Sequence, residues 1–170
     1  MAWFFTQRAS RSATLRAQLH LAHGERILAR VAGADGGCVV GTERALYWCP
    51  PGAGWSRLGW EEISRVDQDR ATGAVVVSGL PGGVPRRVTL PVTGAQGLRA
   101  FAQERVTATC IAVTRIVVDG RRLWVEVRRQ PATDLVHFLV RLDDDLDPAD
   151  TALRATINRA VAELRATLDV

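Results

Sequence analysis

The sequence predicts an α+β fold dominated by antiparallel sheet. Three observations carry that expectation. Short apolar-alternating segments, each closed by a turn signal, follow one another from residue 25 to residue 90. Asp119-Gly120 joins two longer β-patterned runs, and a two-residue Asp-Gly loop is a strong hairpin signal. Each of the two β-rich blocks then ends in one amphipathic helix, at 95–106 and 148–168.

The elements follow in order. Residues 10–23 form a helix, with Leu15, Leu19 and Ala22 on one stripe, Ser10 or Ser12 as cap and Gly24 as the terminating glycine. Strands are expected at 26–32, 37–42, 44–49, 55–60, 63–68, 74–78 and 86–90. Ala34-Asp35-Gly36-Gly37 is a hairpin turn, and Pro50–Gly54, Ala71–Gly73 and Leu80–Pro85 are loops. The helix at 95–106 places Leu98, Phe101, Ala102 and Arg105 near one stripe, with Phe101 as its anchor into the mouth of a barrel.

Longer strands are expected at 108–118, 121–130 and 134–142. Leu123, Val125 and Val127 make one apolar face, with Arg122, Glu126 and Arg128 opposite, and Val136, Phe138, Val140 and Leu142 make another. In the final helix Asp147 is the cap and Pro148 the first helical residue. Leu153, Ile157, Ala160, Val161, Leu164 and Leu168 form its buried stripe.

Composition narrows the function. A 170-residue chain with 47% hydrophobic and 24% charged residues suits an ordinary globular core. The start, Met1-Ala2-Trp3-Phe4-Phe5, is too short for the apolar core of a signal peptide, so a cytoplasmic location is expected. All 22 basic residues are arginine. Schiff-base chemistry and a phosphate-loop lysine are therefore excluded. Residues 1–30 carry a net +4 and residues 143–170 a net −4, so the ends can pair within one chain or between two copies. The small overall charge makes nucleic acid an unlikely partner. Cys38, Cys49 and Cys110 include no Cys-x-x-Cys pair and are expected to be buried reduced thiols.

Candidate sites are few. His20 and His23 share a helix end with no third ligand nearby, so capping is preferred to metal binding. Asp143, Asp145 and Asp147 alternate as hard oxygen ligands do, but Pro148 and Arg154 occupy the positions where a helix–loop–helix calcium loop needs Gly and Glu. Arg121, Arg122 and Arg128 flank Trp124 on a β-ribbon, a pattern suited to a protein or anion contact. Trp3, Phe4 and Phe5, with Arg8 and Arg11, form an apolar and basic segment suited to docking on a partner or a membrane surface. Trp48, Trp55 and Trp60 belong in the core or at a barrel rim. No nucleophile–base arrangement, paired carboxylate motif or glycine-rich phosphate loop stands out, so no enzyme activity and no cofactor are expected.

The first hairpin, the Thr-x-Arg-x-Leu-Tyr segment from Thr42 to Tyr47, the Trp60-Glu61-Glu62-Ile63 turn and the closing helix resemble the bacterial PH-like and GRAM-like domains. The resemblance covers residues 25–106, about half the chain. The whole chain resembles proteins of high-GC Gram-positive bacteria that carry this domain plus an extension. It implies two orthogonal antiparallel sheets, forming a β-barrel closed by a C-terminal helix. The expected organisation is an N-terminal helix at 1–24, a PH-like domain at 25–107 and a β-β-β-α extension at 108–170, packed on it or merged with it. Lipid-binding members hold phosphate with basic residues at the first hairpin. Here that loop carries Asp35 and no base, with Arg30 and Arg44 isolated beside it. The leading expectation is a non-catalytic protein-interaction or scaffold module that self-associates. Peripheral binding to anionic membrane, and a small ligand-binding barrel or enzyme, are the alternatives.

Overall fold

The computed structural model describes residues 14–33, 35–80, 87–92, 97–143 and 146–169. The described residues include ten strands in three antiparallel sheets and two long helices. The first sheet has the order β1-β2-β3-β4, from β1 (Ile27–Ala32), β2 (Cys38–Thr42), β3 (Ala45–Cys49) and β4 (Ser56–Gly59). A 3₁₀ turn at Trp60–Glu62 leads to the second sheet, β5 (Ile63–Gln68), β6 (Val75–Gly79) and β7 (Arg87–Thr89). Helix α1 (Leu98–Thr109) continues directly into β8 (Cys110–Val118). β8 pairs with β9 (Arg121–Arg129), which pairs with β10 (Val136–Leu142), and α2 (Thr151–Leu168) ends the chain.

The first two sheets and α1 enclose one core. Val39, Leu46, Trp48 and Leu58 of the first sheet meet Ile63, Val66, Val75 and Val77 of the second, and Leu98, Ala102 and Val106 of α1 close the end. Each sheet pairs only within itself, so the expected closed barrel is not formed among the described residues. Phe101 does act as an anchor. Its ring stands edge-on to Trp60, with centroids 5.8 Å apart, and lies over Gly41, where any Cβ would overlap it.

β3 is buried on both faces, which explains the uninterrupted apolar run Ala45-Leu46-Tyr47-Trp48. Leu46 and Trp48 enter the shared core, whereas Ala45 and Tyr47 pack with Val40 against Leu15 and Leu19. Leu15 lies in a helical turn over residues 14–18, and Leu19 follows it directly. The helix expected to reach residue 23 stops sooner. His20 takes a left-handed conformation (φ 49°), its N–H bonds to the Ala17 carbonyl, and the Leu21 N–H reaches the Arg16 carbonyl. This is the hydrogen-bond pattern of a left-handed helix terminus, placed four residues before the expected Gly24. Gly24 has positive φ in the turn that follows.

Two other boundaries move. The strand expected from residue 108 begins at Cys110, because α1 runs on through Val106 and Thr109. Both side chains are buried, and their burial overrides the strand preference of β-branched residues. The domain boundary expected after residue 107 thus falls inside a helix. The last helix starts at Thr151, and its cap is Asp150, which accepts from the N–H groups of Ala152 (2.7 Å) and Leu153 (3.3 Å). Asp147 instead accepts from Ala149 within the preceding turn, so Pro148 is not the first helical residue. At Asp119-Gly120 both residues have positive φ (50° and 78°), as a type I′ hairpin turn requires.

The three cysteines are free and half-buried rather than fully buried. Cys38 and Cys49 stand opposite each other across β2 and β3. Burial is the main influence raising the Cys110 thiol above its ordinary value. Among the described residues no helix is long and apolar enough to cross a membrane.

Candidate functional site: an open sheet face and the cleft beside it

Helix α2 covers one face of the β8–β9–β10 sheet, and among the described residues the opposite face is covered only at its Glu126–Arg128 end, where Arg128 reaches Ile63. Leu123 and Val125 of β9, with Ile116, Val118, Phe138 and Val140 from its neighbours, pack against the Leu153, Ile157, Val161 and Leu164 stripe of α2. The opposite face follows from register. Arg115 of β8, Trp124 of β9 and Arg141 of β10 form one row across the sheet. Val113, Glu126 and Leu139 form the next row, and Val117 and Arg122 pair on the far side. The Arg141 guanidinium lies 4.8 Å from the centroid of the Trp124 ring, a cation–π arrangement. Val113 and Val117 are 54% and 59% exposed, large values for valines in mid-strand. Among the described residues β8 pairs only with β9, so it forms an edge of this sheet.

Of the four residues expected to mark a contact surface here, the structure leaves Arg122 and Trp124 on the open face. Strand alternation puts Arg121, opposite Val118, on the other face. Arg128 is a correction. It shares the Trp124 side of the strand, but it is only 5% exposed and works as an internal strut. Its Nη1 donates to the Ile63 carbonyl (2.7 Å), while Nε and Nη2 both donate to Glu126 Oε2 (3.2 and 2.9 Å). It ties the third sheet to the strand that opens the second. Trp3, Phe4, Phe5, Arg8 and Arg11 lie outside the described residues. Sequence reasoning missed Val113, Arg115, Val117 and Arg141. The alternation Val113-x-Arg115-x-Val117 was the available signal, but only pairing with β9 shows that these residues surround Trp124.

The Thr42 segment has a structural role. Thr42 Oγ1 donates to the buried Glu25 carboxylate (2.6 Å) and accepts from the N–H groups of Arg44 and Ala45. Trp60 Nε1 donates to the Thr42 carbonyl (3.0 Å). The space between the first two sheets is filled by side chains, including Trp60, Ile63 and Leu46. The cavities lie outside that core. One of about 570 Å³ adjoins Leu19, Glu25, Tyr47 and Trp55. Another of about 780 Å³ is lined by Arg65, Arg70, Arg87 and Arg99 with Asp67 and Asp69. Among the described residues no group of three or more His, Cys, Asp or Glu side chains is placed to hold a metal ion, and Asp144 and Asp145 of the acidic turn lie outside them.

A third cavity, of about 330 Å³, lies where the 3₁₀ turn meets the third sheet, between Glu61, Leu80, Gln130, His137 and Leu139. In the turn Glu62 caps the chain by accepting from the Gly59 N–H (2.6 Å), while Glu61 folds back over Gly59. Glu61 is 7% exposed, and its Oε2 has no hydrogen-bond partner among the described residues. Burial holds the Glu61 carboxyl above the usual carboxylate range. The neighbouring Glu62 adds to the rise, against the lowering pull of its own backbone N–H, Arg57 and His137. The folded protein therefore keeps this proton to higher pH than the unfolded chain does. The stabilisation this gives is full below the unfolded carboxyl value and is lost as pH rises through the higher folded one. Urea titrations across that window should show wild-type stability falling with pH, and Glu61→Gln should flatten that part of the slope.

No family model, no curated protein and no solved structure matches the chain.

Proposed function

We propose that the chain is a non-catalytic protein-interaction module that self-associates through β8, with residues 25–107 forming a PH-like domain. The carrying observation is the nine-residue edge strand β8, whose residues Val113 and Val117 are more than half exposed on the sheet face that α2 leaves open. A long apolar edge offers unpaired N–H and C=O groups to another strand. Arg115 is the only charged residue in β8. A twofold axis through Thr114 pairs β8 with a second β8 antiparallel, sets Arg115 of one copy opposite Val113 of the other, and avoids any like-charge pair. The two three-stranded sheets then make one six-stranded sheet with two Trp124 rings on its open side.

The PH-like reading rests on element order. Four strands, a turn, three strands and a helix enclosing one core match the order that family implies. A cytoplasmic location belongs to the same proposal and is supported by the three free thiols.

Light scattering on a sizing column tests the association. Wild-type protein is expected to shift from monomer to dimer as its concentration rises. V113K/V117K, which places charges on exposed positions along the edge, is expected to stay monomeric with an unchanged circular dichroism spectrum. A wild-type protein that stays monomeric at its highest soluble concentration ends the proposal, and so does a variant that still dimerises.

A further inference from the structure

We propose that the cleft between the 3₁₀ turn and the third sheet binds a small organic cation, an amine on a short apolar stem, with the Glu61 carboxylate as its counter-ion. Glu61 Oε2 is a buried acceptor with no donor among the described residues, and an unmet buried acceptor is costly. Glu61 lines a cavity of about 330 Å³, so there is room for a donor beside it. Leu80 and Leu139 form apolar walls, and the Gln130 amide and Glu62 add polar atoms.

The class of ligand follows from that lining. A water molecule satisfies the oxygen but leaves both leucines wetted. An ammonium group on a short hydrocarbon stem satisfies the oxygen and dries the walls. The charged groups facing the site are Glu61 and Glu62 on the turn, Arg57 on β4 and His137 on β10. Two carboxylates, one guanidinium and one imidazole thus face the cleft. Arg57 is exposed and also lines the neighbouring cavity under Leu19, so its charge is not confined to this cleft. A bound ammonium favours the ionised form of Glu61, against the burial that raises its carboxyl.

The probe is n-butylammonium chloride, titrated into isotopically labelled full-length protein and followed by amide chemical shifts. Saturable shifts are expected at Glu61, Gln130 and Leu139, with a dissociation constant in the millimolar range. Affinity is expected to rise with pH as Glu61 ionises, and Glu61→Gln, nearly the same shape, is expected to bind at least about tenfold more weakly. n-Butanol, which offers the stem without the charge, is expected not to reproduce the shifts. The proposal is overturned by an absence of saturable shifts, by equal binding to Glu61→Gln, by equal shifts from n-butanol, or by affinity that ignores pH in the wild-type protein. The pH series needs no variant, so a poorly folded Glu61→Gln does not rescue it.

Discussion

Replacing Arg128 by leucine is expected to lower the unfolding free energy by about 3–5 kcal/mol, because it leaves a buried carboxylate without its main partner. Glu126 has only 12% of its side chain exposed, and its remaining cation is Arg141 at 3.5 Å. The Ile63 carbonyl loses a 2.7 Å charged donor at the point where a bulge already interrupts the β5–β6 ladder. The expected loss is therefore larger than a surface ion pair gives. Urea denaturation measures it. The double variant Glu126→Leu/Arg128→Leu should recover part of the loss, since removing both charges leaves less to desolvate. If Arg128→Leu alone costs less than about 1 kcal/mol, the strut is solvated in solution and the two parts of the chain are held mainly by apolar packing.

Trp60→Ala is expected to cost about 3–5 kcal/mol, the range for truncating a large buried aromatic. Trp60 is 1% exposed, packs edge-on against Phe101 and satisfies the Thr42 carbonyl through its indole N–H. Trp60→Phe separates these contributions. It keeps a ring for Phe101 but removes the donor, so about 1–3 kcal/mol of the loss should remain. Chemical denaturation of both variants against wild type reads the difference. If Trp60→Phe is as stable as wild type, the Thr42 hydrogen bond contributes nothing net.

The two predictions probe different parts of the molecule, and they differ in how visible they were in the sequence. The β-pattern assigns Trp60 to the core or a barrel rim, and the structure buries it at the start of the 3₁₀ turn. No such pattern buries Arg128. In sequence it belongs to an arginine-rich, tryptophan-centred ribbon that reads as a contact surface. Only the approach of β9 to Ile63, 65 residues earlier, buries it. Val113 and Val117 present the converse case. Nothing in their sequence context marks them as surface residues, yet α2 covers the other face of the sheet and leaves them in solvent. Glu61 reads in sequence only as part of the turn, and its burial depends on how it folds over Gly59.

Element type and order were written in local chemistry. Period-two apolar alternation, Asp-Gly turns and the α2 stripe each depend on neighbours a few residues away, and those interactions are fixed once the residues are known. Element ends were less secure, because competing local signals were decided by burial, as at Thr109, or by the nearer of two aspartates, as at Asp150. Which face of a sheet is covered, which arginine is a strut and which carboxylate is orphaned depend on contacts between residues far apart in the chain. Those contacts exist only after the chain has folded, so the tertiary structure alone decided them.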